Sequence, residues 1–245
     1  MEHHPRLRDS KKLTTKELYP LNIFPESLIT EIGGYFVYLL YIGRTDITGT
    51  DWGDAFAQAI KGTHLDSPVG IADVVLDKNC WSMKTVKNPN PFSAKNIRLI
   101  SGRCSPDYSY GITDPHKDVQ KTGEAVLGIW NERVNIANDH YSQLRTSILI
   151  RSDDLLSYTL FEEETLRYRT TDYHWNVNKN GNLVGLDKNE RICFTWQPHG
   201  SQFTIHTEVP ESALRFSIKQ PPKLEKRDIL DKIHFDSSWI KIVKK

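Results

Sequence analysis

Apolar positions between residues 22 and 62 recur at helical spacing. In "NIFPESLITEIGGYFVYLLYIG", Leu28, Ile32, Tyr35, Phe36 and Leu39 share one face, which two adjacent glycines weaken. In "TGTDWGDAFAQAIKG", Trp52, Ala55, Phe56, Ala59 and Ile60 follow the i, i+3, i+4, i+7, i+8 pattern, and Gly62 stops the run. The period then shortens into three strand-like runs, "GIADVVLD", "CWSMKTVK" and "AKNIRLIS". The prolines of "NPNP" separate the last two, because proline cannot continue a sheet ladder. "TDPHKDVQKTGEAVLGIWNERVNIA" predicts a long helix with Asp114 as cap and Pro115 at its first position, and "RTSILIRS" a buried strand. Residues 50 to 152 therefore predict the order αβββαβ, a central mixed sheet with flanking helices in the α/β (α+β) class. "YTLFEEETLRYRT", "YHWNV", "ICFTW" and "SQFTIHTEV" extend it as a β-rich antiparallel elaboration of the same sheet over about 153–210. A basic tail, 211–245, completes one domain.

The length of 245 residues suits a single large domain. No apolar run approaches the roughly 18 residues a membrane span needs, so no membrane partner is expected. The opening "MEHHPRLRDSKK" has no apolar stretch behind it, which reads as a loosely held arm and not a secretory signal. Cys80, Cys104 and Cys193 are widely spaced and odd in number, the pattern of reduced thiols in a cytoplasmic protein.

A net charge of +1 gives no overall sign of a nucleic-acid partner. Locally, Lys78, Lys84, Lys87, Lys95, Arg98 and Arg103 occur from 78 to 104 without one acidic residue, and "KQPPKLEKR" forms a second cluster. A basic strip is usually a solvated face; beside an acidic site it can follow a phosphate backbone.

"GIADVVLDKNCWSMK" supplies such a site. A hairpin closing over Lys78–Asn79 sets Asp73 opposite Lys84 and Val75 opposite Ser82, with opposed Cβ atoms roughly 4.5–5.5 Å apart. The plain outcome is a cross-strand ion pair. Yet an ionised aspartate inside "IADVVL" is costly to bury without a strong partner such as a metal.

A strand with Asp, a hairpin and a second strand ending in x-Lys, within αβββαβ, resembles the PD-(D/E)XK nuclease family, to which many type II restriction endonucleases belong. The resemblance covers residues 50 to 152. "GIAD" supplies Asp73, with Pro68 five residues before it, and "SMK" stands at the "(D/E)xK" position, so Ser82 replaces a carboxylate. Asp54, Glu31, Asp77 and Glu124 are the alternative carboxylates; Asp54, on the preceding helix, is the first choice, although "DWGD" also reads as a capping pair. The resemblance implies Mg²⁺ on Asp73, Asp54 and the main-chain carbonyl near Met83. Ser82 would hold a water of its shell, and Lys84 would position the attacking water.

It further implies a Mg²⁺-dependent endonuclease acting on double-stranded DNA, sequence-specific or, in the alternative, structure- or damage-specific. A DNA-binding module that lost catalysis, and a homodimer, stay open. "TWQPHGSQFTIH" places Gln197, His199, Ser201 and Gln202 around a turn where amide and imidazole groups can meet base edges. Arg103 and Arg133 are further DNA-contact candidates. No GxSxG elbow, phosphate-binding loop, dinucleotide fingerprint or HExxH helix competes with this reading.

Overall fold

The computed structural model describes residues 18–66 and 71–243. The N-terminal arm and Pro68 lie outside the described residues. Helix α1 spans Glu26–Tyr41 and buries Leu28, Ile32, Phe36 and Leu39, the face given by the sequence period. Helix α2, Gly49–Ile60, starts in a reciprocal cap: Thr48 Oγ1 accepts from the Asp51 N–H, and Asp51 accepts from the Thr48 N–H. It ends at Lys61, which turns into the left-handed region at φ 58°.

Six strands form a mixed sheet in the order β1 (Thr63–His64), β2 (Val74–Leu76), β3 (Asn79–Lys87), β5 (Gln143–Arg151), β6 (Ser157–Glu164) and β11 (Leu214–Ser217). Only β3 and β5 run parallel, joined by a crossover that contains the long helix α4, Val119–His140. A second, wholly antiparallel sheet runs β4 (Asn96–Arg103), β10 (Gln202–Glu208), β9 (Ile192–Gln197), β8 (Leu183–Leu186) and β7 (His174–Val177). Two short helices, α3 (Pro106–Tyr110) and α5 (Lys226–Lys232), complete the described fold.

The mixed α+β class is thus observed, with two corrections. The third strand of the predicted run, β4, leaves the first sheet and edges the second. The β-rich stretch beyond residue 153 mainly builds that separate sheet, with only β6 and β11 extending the first. The long helix also begins later than Asp114: that side chain accepts from the His116 N–H at 3.0 Å in a turn, and Asp118 caps the helix by accepting from the Lys121 N–H at 3.0 Å.

Packing makes three layers. Phe36, Trp52 and Phe56 of α1 and α2 bury one face of the first sheet against Trp81, Leu149 and Tyr158. Its other face meets the second sheet, where Ile148, Ile150 and Phe161 pack with Ile97 and Leu99. Helix α4 fills the same interlayer, Val126, Leu127 and Trp130 packing with Cys80, Phe194 and Phe203. Each such side chain contributes roughly 1.5–3 kcal/mol on burial. The three cysteines are free thiols, Cys80 and Cys104 buried. Among the described residues no helix is long and apolar enough to cross a membrane.

Candidate active site

The β2–β3 hairpin closes over Asp77–Lys78, with Val74 opposite Trp81 and Leu76 opposite Asn79. Asp77 takes the positive φ of 52° this tight turn needs. The loop therefore sits one residue earlier than the expected Lys78–Asn79, and Asp73 is not directly opposite Lys84. That expectation is corrected; within the paired stretch Val74–Leu76 the slip moves the register by two, which keeps those side chains on the expected faces. The Asp73 N–H bonds the Trp81 carbonyl at 2.9 Å, so two residues, Asp73 and Val74, face Trp81. This one-residue bulge turns the Asp73 carboxylate toward β3.

Three donors of β3 converge on the same carboxylate oxygen. Asp73 Oδ2 accepts from the Met83 N–H at 2.7 Å and from Ser82 Oγ at 3.3 Å, and Lys84 Nζ lies 3.8 Å away. Asp73 Oδ1 has no protein partner among the described residues. An extended residue directs its N–H and C=O to the same edge, so the Met83 carbonyl also faces Asp73. A quarter of the Asp73 side chain and a fifth of Lys84 remain exposed, so the pair is open to solvent. Burial pulls the Lys84 ammonium below its ordinary pKa; Asp73 opposes that shift and the Arg133 charge reinforces it.

Among the described residues no second carboxylate is paired with this cluster. Asp54 binds His64 Nδ1 at 2.7 Å on the helix side of the sheet. Glu31 is exposed in a groove between α1 and α2, Asp77 is exposed in the hairpin turn, and Glu124 accepts from Gln120 at 2.9 Å. Among the described residues no three His, Cys, Asp or Glu side chains group as a metal site. Beside the Met83 N–H and the Lys84 ammonium, the groups at Asp73 that could ligate a cation are all oxygens: Oδ1, the Met83 carbonyl and the Ser82 hydroxyl. That set suits Mg²⁺, which keeps several waters and takes few protein ligands, better than a softer metal.

The sequence reading missed Glu163. Ser82 pairs with Thr146 and Thr146 with Glu163, so a polar row crosses β3, β5 and β6 on the face that carries Lys84. Glu163 accepts from Thr207 Oγ1 of the second sheet, and burial raises its pKa. It helps to line an interlayer cavity of about 20 Å³ with Lys84, Ser101 and Thr146, space for a single water. Two strands lie between the Asp73 and Glu163 strands, roughly 14 Å of sheet, too far to share a cation. Strand alternation in "LFEEET" puts Phe161 and Glu163 on one face, but only the strand order reveals what that face meets.

The DNA-contact candidates come together at one end of the second sheet. Gln202 stands opposite Gln197 on β9 and opposite Arg103 on β4. In the row Gln197–Gln202–Arg103, with roughly 4.5–5.5 Å between members, Arg103 is exposed and the two glutamines are half-buried. His199 and Ser201 lie in the adjoining turn, where Ser201 adopts φ 52° and its carbonyl accepts from the Cys104 N–H at 2.8 Å. Arg133 has a different task from the expected one. Its Nη1 donates to the Ser101 carbonyl at 3.3 Å and its Nη2 to the Arg103 carbonyl, which holds the end of β4 in place. Gly102, at φ 93°, permits this approach, since a Cβ there would lie 2.8 Å from Nη1. Ser101 also lines the cavity at Lys84, so the row and the Asp73 cluster adjoin through Arg133.

The expected continuous basic strip is not one surface. Lys87 pairs with Asp153 at 3.2 Å, Lys78 reaches the His140 carbonyl at the end of α4, and Arg98 lies on the second sheet.

No protein-family model, curated protein or solved structure matches this chain.

Proposed function

We propose that the protein is a Mg²⁺-dependent endonuclease that hydrolyses phosphodiester bonds of double-stranded DNA. One observation carries the reading: Asp73 Oδ2 is fixed by Met83, Ser82 and Lys84, while Oδ1 has no protein partner among the described residues and a quarter of the side chain stays exposed. Asp73, the Met83 carbonyl and, through water, Ser82 are the groups that would hold Mg²⁺. The cation would neutralise phosphate charge and lower the pKa of water.

The chain's own groups supply the rest. Lys84, as an ammonium, donates to the attacking water or to a non-bridging phosphate oxygen, so it meets the negative charge that grows as one P–O bond forms and another breaks. The Met83 N–H fixes the Asp73 carboxylate before substrate arrives, so little reorganisation is needed during the reaction. Gln197, Gln202 and Arg103 face base edges from the adjoining sheet end, amides suiting adenine and guanidinium guanine. Sequence specificity is the better supported choice, because a row of amide and guanidinium groups, with Arg103 exposed, adjoins the cluster.

The test is incubation with mixed-sequence duplex DNA in Mg²⁺ and then in EDTA. Discrete Mg²⁺-dependent fragments are expected, and Asp73→Ala should reduce cleavage at least 1,000-fold, on the order of 4 kcal/mol, while duplex binding persists. Normal cutting by Asp73→Ala removes this site. A second reading, a binding module without catalysis, is favoured by Ser82 and by the lack of a second carboxylate at Asp73; binding without cutting supports it.

A further inference from the structure

We infer that the C-terminal segment is an exchange arm that seats in the α1–α2 groove of a second copy of this chain. Leu224 is its last tie to the body, its N–H bonding the Tyr41 carbonyl at 3.1 Å. Beyond Glu225, among the described residues, every hydrogen bond, ion pair and ring contact is internal to the arm: the turns of α5, Arg227–Asp231, and Phe235 against Trp239 at 5.7 Å. Helix α5 buries no residue. Yet the arm carries Trp239, Ile240, Ile242 and Val243 at 58%, 63%, 79% and 81% exposure, with Ile229, Ile233 and Phe235 also exposed. A soluble monomer rarely holds so much apolar surface in one short segment.

The groove supplies the complementary shape and charge. A cavity of about 590 Å³ lies between α1 and α2, lined by Pro25, Leu28, Ala59 and Ile60, with Glu31 on α1 and Lys61 just past the end of α2 as its charged members. A second hollow of about 370 Å³ shares Glu31 and continues past Tyr35 and Tyr38. Together they make a channel along α1 with one carboxylate near its middle. The sequence "WIKIV" places Lys241 between Ile240 and Ile242, a single cation flanked by apolar side chains. The arm is too exposed to be seated in its own groove.

Area favours a second copy. Seven exposed apolar side chains in each arm, together with the grooves that receive them and doubled by reciprocal exchange, supply buried area on the scale of the roughly 1,200–2,000 Å² of stable interfaces. Each groove receiving the other chain's arm is a closed two-fold arrangement with no unmatched surface left to extend a fibre.

The full chain should sediment as a dimer at micromolar concentration. The double substitution Trp239→Asp and Ile242→Asp should make it monomeric with unchanged circular dichroism and melting temperature, because the arm contributes nothing to the core. Glu31→Lys should weaken dimerisation about tenfold or more, and Glu31→Lys combined with Lys241→Glu should restore it. A monomeric wild-type chain, a dimer that survives the arm substitutions, or a charge exchange without rescue each overturns the assignment. So does a monomer in which the arm substitutions weaken only duplex binding, which gives the arm to nucleic acid instead. None of these readouts depends on cleavage, so the outcome is separate from the nuclease reading.

Discussion

The two oxygens of Asp73 are not equivalent. Oδ2 receives two hydrogen bonds and an ammonium neighbour, whereas Oδ1 has no protein partner among the described residues. Ser82 is therefore the position where one added carboxylate changes most. Ser82→Asp places two like charges side by side, which destabilises the metal-free protein and gives a divalent cation a second ligand. The expected result is a lower melting temperature in EDTA and a larger rise on adding Mg²⁺ than in the wild type. Equal rises in both proteins count against Mg²⁺ at Asp73. Glu163 gives a pH test. Its folded pKa is raised by burial, with Thr207 as its hydrogen-bond partner and Thr146, Thr165, Tyr168 and Lys84 lining the space it faces. A raised carboxyl stabilises the fold fully below its ordinary pKa and loses that contribution as pH rises through the raised one. Glu163→Gln, which can still accept from Thr207, should then be more stable than wild type at pH 8 by on the order of 1 kcal/mol and gain nothing at pH 4, as read by urea unfolding. Ser82 and Lys84 were legible as neighbours because strand alternation fixes their shared face, whereas Asp73 lies just before β2 and reaches them through a bulge that the alternation does not foretell. Glu163 was not, because its surroundings depend on strand order.

At the scale of elements, helices were the legible part. The period of α1 and α2 marks their buried faces correctly, since each packs one stripe on one sheet. The start of α4 was obscured by two aspartates of equal capping ability, and only the Asx turn at Asp114 shows that the helix waits for Asp118. Strand β4 alternates buried and exposed positions, a pattern that reports one covered face and says nothing of which sheet lies across from it. Helix α4 meets the second sheet at Gly123, where an added Cβ would lie 2.1 Å from the Trp175 ring. Trp175 is buried and stacked on Phe194, so it has little room to yield. Gly123→Ala gains up to about 1 kcal/mol of helix propensity but incurs about 1–3 kcal/mol of overpacking. The expected net is a loss of about 1–2 kcal/mol, which for a chain of this size lowers the melting temperature by roughly 2–8 °C. A neutral or stabilising result means that α4 can slide on β7 and does not hold β4 rigidly.

For the whole molecule, the near balance of charge limits how duplex DNA can be held. Several cations are already paired within the protein: Lys87 with Asp153, Arg191 with Asp187, Arg151 with Asp46. In the proposed reading Lys84 is the phosphate contact at the cluster. Each neutralised phosphate steepens the fall of log K with log salt by about 0.9, so a slope far shallower than that of a protein coated in basic residues is expected. Two substitutions separate holding from reading. Lys84→Met should make the slope shallower by about one and weaken all duplexes alike, because an ammonium at a phosphate carries no sequence information. Arg103→Ala should leave the slope nearly unchanged while reducing binding to the preferred sequence by about 1–3 kcal/mol if, as proposed, this exposed arginine beside Gln202 meets a base edge. Titrations of a preferred and a scrambled duplex over a salt series, in Ca²⁺ to withhold cleavage, measure both quantities. If Arg103→Ala flattens the slope and weakens both duplexes equally, the row at the sheet end grips the backbone, and recognition of sequence must be sought on another face.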